Sequence, residues 1–300
     1  MSKAVPVISV RDIEVEYPGH PPVKAVRGVS FDLVGGEVVG LVGESGCGKS
    51  TMARVLTGLV APSAGRVEYQ GLELRALGVG RRPLADTGIQ MVFQDPGSSL
   101  NPRRRVGAQI QDGLDLAAKR RARAGGRLGD KLLPDAAGSP DAAASHPATP
   151  GEWLERVGLD RKDAPRFPRS FSGGQRQRIA TARALAAEPN VLIGDEPISA
   201  LDASTQAKVA YLMSRLTVSQ GAALLFISHD LSVVRLIADR LLVMWAGRIV
   251  ESGPTQEVWS HPGHPYTKTL LAAIPTPDGS GRLPTVPTGQ SDFDAPPVIH

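Results

Sequence analysis

Residues 43–51 read Gly-Glu-Ser-Gly-Cys-Gly-Lys-Ser-Thr, and no other stretch of the chain limits its fold so tightly. Gly43, Gly48, Lys49 and Ser50 satisfy the phosphate-loop spacing Gly-x-x-x-x-Gly-Lys-[Ser/Thr]. Glycines let the backbone curl until several N–H groups face one phosphate chain. Lys49 brings positive charge to the outer phosphates, and the Ser50 hydroxyl can ligate Mg²⁺. The apolar run at 37–42 reads as a buried strand and residues 52–56 as a helix. Strand, loop and helix in that order put an anion at a helix N-terminus.

Composition narrows the class. The chain has 300 residues with a net charge of +4, too mild a balance to argue for nucleic acid, and no nucleic-acid partner is expected. Cys47 is the one cysteine, which excludes an intrachain disulfide and a cysteine metal cluster and fits a reducing compartment. The opening Met1-Ser2-Lys3-Ala4-Val5-Pro6 lacks the apolar stretch of a signal peptide, and no run approaches the roughly 18 apolar residues of a membrane span. Any work at a membrane is expected to go through a partner.

Residues 7–42 alternate apolar and polar positions, as in Ile13-Glu14-Val15-Glu16-Tyr17, and predict strands of a half-exposed antiparallel layer. Further strands are expected at 65–69, 89–93, 191–194, 223–227 and 241–244, with helices at 203–218 and 231–239. Alternating strands and helices imply a mainly parallel sheet with ligands at the carboxyl ends of its strands. Gln94, Asp195 and Ser228 each follow such a strand and are expected to converge on the loop. Residues 117–150 read as a low-complexity insertion and a solvated surface segment. Its run Lys119-Arg120-Arg121 leaves contact with acidic lipid or RNA open. After about 275 the chain has little to fold with.

Two further clusters carry chemistry. Asp195-Glu196 ends an apolar strand with paired carboxylates: one suits a hydrated Mg²⁺, the next can orient or deprotonate a water. Ser172-Gly173-Gly174-Gln175 places an N-cap and two glycines at a helix start, a second anion-binding end.

With these motifs in order, the chain resembles the nucleotide-binding subunit of ATP-binding cassette (ABC) transporters over about residues 7–275. The phosphate loop at Gly43–Thr51, Gln94, the signature Ser172–Gln175, Asp195-Glu196, Ser199-Ala200-Leu201-Asp202 and Ser228-His229-Asp230 follow the family's sequence. The resemblance implies an α/β P-loop NTPase with a mainly parallel core sheet, an N-terminal antiparallel β layer and an inserted α-helical subdomain at about 97–185. It implies one domain over 1–275 and a flexible tail over 276–300. ATP would lie on Gly43, Glu44, Ser45, Gly46, Cys47, Gly48, Lys49, Ser50 and Thr51, with Tyr17 stacked on adenine. Mg²⁺ would meet Ser50, Gln94 and Asp195. Glu196 would be the general base, His229 would hold the γ-phosphate and attacking water, and Gln94 would report to a membrane subunit. Ser172, Gly173, Gly174 and Gln175 would close on the ATP of a second ATPase subunit, which Asp202 would touch. Phe171 stands where the family usually has Leu, and Ile198 replaces a common Thr; neither touches the implied chemistry.

Residues 93–103, Phe-Gln-Asp-Pro-Gly-Ser-Ser-Leu-Asn-Pro-Arg, and His264-Pro265-Tyr266-Thr267-Lys268 resemble the importers of dipeptides, oligopeptides and nickel. That branch implies ATP-driven import of short peptides or a related small solute. The implied partners are a second ATPase subunit, a paralogue rather than an identical copy, two transmembrane permeases and an extracytoplasmic solute-binding protein. The chain would sit on the cytoplasmic face of the membrane as a peripheral subunit. An ATPase-like subunit of the carbon–phosphorus lyase system, or a soluble ABC ATPase, remains as an alternative.

Overall fold

The computed structural model describes residues 5–77, 82–95, 99–125, 149–274 and 295–300. Among them the strands run β1 (Pro6–Tyr17), β2 (Val23–Val34), β3 (Val38–Val42), β4 (Ala64–Tyr69), β5 (Leu72–Glu73), β6 (Ile89–Val92), β7 (Val191–Asp195), β8 (Ala223–Ile227), β9 (Arg240–Trp245), β10 (Arg248–Pro254) and β11 (Val298–Ile299). The helices are α1 (Lys49–Leu56), α2 (Val106–Gly125), α3 (Pro150–Arg156), α4 (Gly173–Ala186), α5 (Ala203–Ser219), α6 (Leu231–Ile237), α7 (Thr255–Ser260) and α8 (Pro265–Ala272). They form two compact units, residues 1–78 with 225–300, and residues 79–224.

The first unit holds the antiparallel layer that the alternating pattern predicts, in the order β2-β1-β4-β5. Ile8 and Val10 are buried on even positions of β1, Ile13 and Val15 on odd ones. The parity changes because the register breaks between Val10 and Ile13, where Asp12 takes φ 50°. A bulge of this kind inserts the extra residue that returns the apolar side chains to one face.

The same unit carries β11-β10-β9-β3 and, from Leu225 on, β8 beside β3. β3 and β9 pair in parallel from Val39↔Arg240 to Val42↔Val243. Every residue of β3 and β8 is buried, as a strand covered on both faces requires. Asp239 fastens the start of β3, accepting the Val38 N–H at 2.8 Å, while Arg240 donates to Glu37 Oε1 at 2.7 Å.

In the second unit β6 and β7 pair in parallel, Ile89↔Val191 to Val92↔Gly194. Helix α4 opens on a capping box: the Ser172 hydroxyl accepts the Gln175 N–H at 3.3 Å and Gln175 Oε1 accepts the Ser172 N–H at 2.9 Å. Helix α2 approaches it closely enough that a Cβ on Gly113 would stand 2.6 Å from the Arg183 carbonyl.

Two expectations change here. The segment from 117 continues α2 as a helix through Gly125 rather than standing free as a solvated surface segment, and Arg120 donates to the Ala187 and Glu188 carbonyls at 2.9 and 3.0 Å. Arg121, still largely exposed, pairs with Glu188, so two cations of the basic run are tied to the end of α4. Carbonyls past a helix end lack intrahelical donors, and arginines supply them. The rest of the expected insertion, 126–148, lies outside the described residues. The tail also ends in structure: Val298 pairs with Glu251 and Ile299 with Ser252, adding β11 beside β10. Residues 275–294 lie outside the described residues.

Candidate nucleotide site

Strand β3 delivers the chain to Gly43, and α1 leaves at Lys49 with Gly48 as its N-cap at φ 112°. Both glycines are required by space: a Cβ on Gly43 would lie 2.1 Å from the Met244 carbonyl oxygen, and one on Gly48 2.3 Å from that of Ala25. The ordinary backbone curl of the motif is thus locked by the walls around it.

Lys49 is 4% exposed. Its ammonium donates to the carbonyls of Gly43 and Glu44, both at 2.7 Å, and lies 3.8 Å from the Cys47 sulfur. Neutral carbonyls share a buried positive charge without cancelling it, so this arrangement suits an anion. Burial pushes the Cys47 thiol up, against the pull of the Lys49 ammonium. Tyr17 is half-buried and its hydroxyl reaches Thr51 Oγ1 at 3.5 Å, at the first turn of α1. Glu44, Ser45 and Gly46 form the exposed rim.

On the neighbouring strand, Ser228 N–H donates to the Leu41 carbonyl at 3.2 Å, which sets the end of β8 beside the end of β3. His229 follows, exposed, and Asp230 caps α6 by accepting from the Ser232 and Val233 N–H groups at 2.9 and 3.3 Å. The expected placement of the 228–230 loop at a strand's carboxyl end therefore holds.

The carboxylates belong to the second unit. Asp195 ends the wholly buried β7 and is 8% exposed. Glu196 adopts φ 46°, a left-handed conformation unusual for a residue with a Cβ. Such strain is on the order of 1–3 kcal/mol and collects at functional positions. The backbone there is held by Ser199, whose N–H and hydroxyl donate to the Glu196 carbonyl at 3.3 and 3.1 Å. Gln94 Nε2 donates to Glu196 Oε2 at 3.1 Å, which brings together two residues 102 positions apart. Gly173 and Gly174 follow the capping serine, and Asp202 accepts the Thr205 N–H at 3.0 Å as the cap of α5. Phe171 is buried beneath the Arg166 guanidinium, 4.6 Å from the ring centroid, which explains how an aromatic is accommodated ahead of the signature.

The stretch 99–104 is tied to α2. Gln109 accepts the Asn101 N–H at 2.8 Å and donates to the Asn101 and Arg104 carbonyls at 3.1 Å. Pro96–Ser98 lie outside the described residues.

The family model described as ABC transporter matches residues 26–199, more than half of the chain. The chain belongs to the ABC transporter family. A second family model, the C-terminal region of oligopeptide/dipeptide transporters, matches residues 250–297 of this ABC protein. The oligopeptide transport ATP-binding protein OppF of Bacillus subtilis is 46% identical over 259 residues, spanning 85% of this chain and 78% of the relative. The dipeptide transport ATP-binding protein DppF of Haemophilus influenzae is 43% identical over 253 residues, spanning 84% and 71%. Among solved structures, a dimeric ATP-binding cassette in a post-hydrolysis state with ADP and Pi superposes with a TM-score of 0.62 at 24% identity, over 83% of this chain and 98% of that one. The cbiO1 protein of Clostridium perfringens superposes at 0.64 with 23% identity, over 85% and 91%. At such identity these two establish the cassette fold.

One contact of the ABC protein escaped the sequence reading. The Glu44 N–H donates to the hydroxyl of Tyr266, 222 positions away, at 3.0 Å. In the sequence Tyr266 stands out only within the run His264–Lys268. Its burial, 1% exposed, was not visible in a helix with polar neighbours. Among the described residues no helix is long and apolar enough to cross a membrane.

Proposed function

We propose that this chain is the ATP-binding and ATP-hydrolysing subunit of an importer of short peptides. The observation that carries it is the junction of two regions in one site: the phosphate loop of the ABC region is hydrogen-bonded to Tyr266 of the oligopeptide/dipeptide C-terminal region. The relatives named above are peptide-transport proteins, which favours this reading over the carbon–phosphorus lyase system.

In this reading the loop N–H groups and Lys49 hold the phosphates of ATP, and Tyr17 stacks on the adenine beside Thr51. Glu196 takes a proton from the attacking water, with Gln94 steering its carboxylate and His229 holding the γ-phosphate side. Mg²⁺ brought with ATP would neutralise phosphate charge, and Ser50, Asp195 and Gln94 offer the oxygen donors a hard cation takes. A second ATPase subunit, a paralogue, completes the site with its residues matching Ser172, Gly173, Gly174 and Gln175, and Asp202 meets that subunit. Two permeases and an extracytoplasmic binding protein supply the path and the peptide, and the chain works at the cytoplasmic face of the membrane.

Purification of the tagged chain from its native membrane tests the partners. The expected companions are two permeases and a related ATPase. Recovery of the chain with phosphonate-cleaving proteins in place of permeases would reject peptide import.

A further inference from the structure

The Gly43–Glu44 peptide group is gripped at both ends. Its carbonyl accepts from the Lys49 ammonium at 2.7 Å, and its N–H donates to the Tyr266 hydroxyl at 3.0 Å. A planar amide bonded on both sides is fixed in rotation. If it turned, Lys49 would lose one of its two carbonyl partners and its ammonium would be re-aimed.

Tyr266 is itself firmly seated. Its ring lies 5.9 Å from that of Trp245, at the end of β9, with an interplanar angle of 38°. Its backbone stands in the first turn of α8, where His264 Nδ1 accepts the Tyr266 N–H at 3.2 Å. A neutral ring accepting at Nδ1 carries its proton on Nε2, which lies 3.3 Å from the Ala295 carbonyl. His264 is fully buried and donates its N–H to Glu251 Oε2 at 3.0 Å. The other oxygen of Glu251 accepts from Gly263 at 2.8 Å and faces His300 Nε2 at 2.6 Å. Glu251 thus joins β10, the 263–264 turn and His300 in one buried hub.

We propose that Tyr266 is a positioning residue for the phosphate loop. Its backbone is held by the Glu251–His264 hub, and its hydroxyl fixes the Gly43–Glu44 peptide and through it the Lys49 ammonium. This rests on the reading of 43–51 as the nucleotide site. None of the chemistry assigned to Glu196 passes through it, so its effect falls on nucleotide affinity.

Tyr266→Phe keeps the ring and its Trp245 contact and removes one oxygen. One hydrogen bond is worth about fivefold in affinity. In the assembled transporter the KM for ATP should rise about fivefold with kcat within about twofold. In the purified full chain the ATP dissociation constant should rise by the same factor, and the Glu44 amide should exchange hydrogen faster while β3 and β9 keep their protection. Loss of thermal stability with an unchanged dissociation constant would show a merely structural tyrosine and overturn the proposal. Lys49→Ala is the reference. If it binds ATP as the parent does, the nucleotide reading itself fails. If it loses ATP while Tyr266→Phe binds normally, only the tyrosine's role fails.

Discussion

Cys47 lies inside the phosphate loop, 8% exposed and 3.8 Å from the Lys49 ammonium. A nearby cation ordinarily lowers a thiol pKa, but burial dominates here and moves it above the ordinary thiol value. The group is therefore a thiol at neutral pH, and the thiolate is the form that alkylates. Iodoacetamide should modify the folded chain at least about tenfold more slowly than the denatured one. Once modified, the loop should no longer bind ATP, because the adduct stands beside Lys49. Alkylation at the denatured rate, or full ATP affinity after complete modification, would count against this placement. Both the loop glycines and Lys49 are legible in the sequence, since their chemistry sits at fixed short spacing. The reactivity of Cys47 is not, because it depends on what covers the loop.

Elements show a similar division. The alternation in β1 is legible as a half-buried strand, while the bulge at Asp12 that re-registers it is not, because apolar residues at 8, 10, 13 and 15 fit neither period throughout. The Ser172 cap reads directly from sequence, as local hydrogen bonds of three-residue span do. The join of β10 to α8 does not, since it rests on one glutamate. Burial alone would raise the Glu251 pKa, but the Gly263 N–H, His300 and the His264 N–H together hold it below the usual carboxylate range. A carboxyl with a depressed folded-state pKa stabilises fully above its unfolded value and loses that contribution as pH falls through the folded one. Stability should therefore decline below about pH 4.5. Glu251→Gln should lower the unfolding free energy at pH 7 by about 2 kcal/mol, by placing an amide donor against backbone donors, and should flatten the acid decline. Denaturant unfolding of both proteins at pH 7 and at pH 4 checks this; identical pH slopes would reject it.

For the whole molecule, the order of motifs makes the family legible in the sequence alone, and the fold follows. What the sequence conceals are pairings between distant segments: Tyr266 with Glu44, Glu251 with His300, and Gln94 with Glu196. Each joins residues far apart in the chain, and no local pattern encodes which distant residue is met. The last of these pairings bears on the chemistry, since Glu196 is held in a left-handed backbone with its carboxylate accepting from Gln94. Its replacement by an isosteric amide keeps the shape and removes the proposed base. The most direct measurement is peptide-stimulated ATP turnover by the complete transporter in vesicles, wild type against Glu196→Gln, with ATP binding measured alongside. Turnover should fall by about 10²–10⁴-fold while ATP binding persists. Near-normal hydrolysis in the variant would contradict the assignment of the base, and with it the account of how this chain drives import.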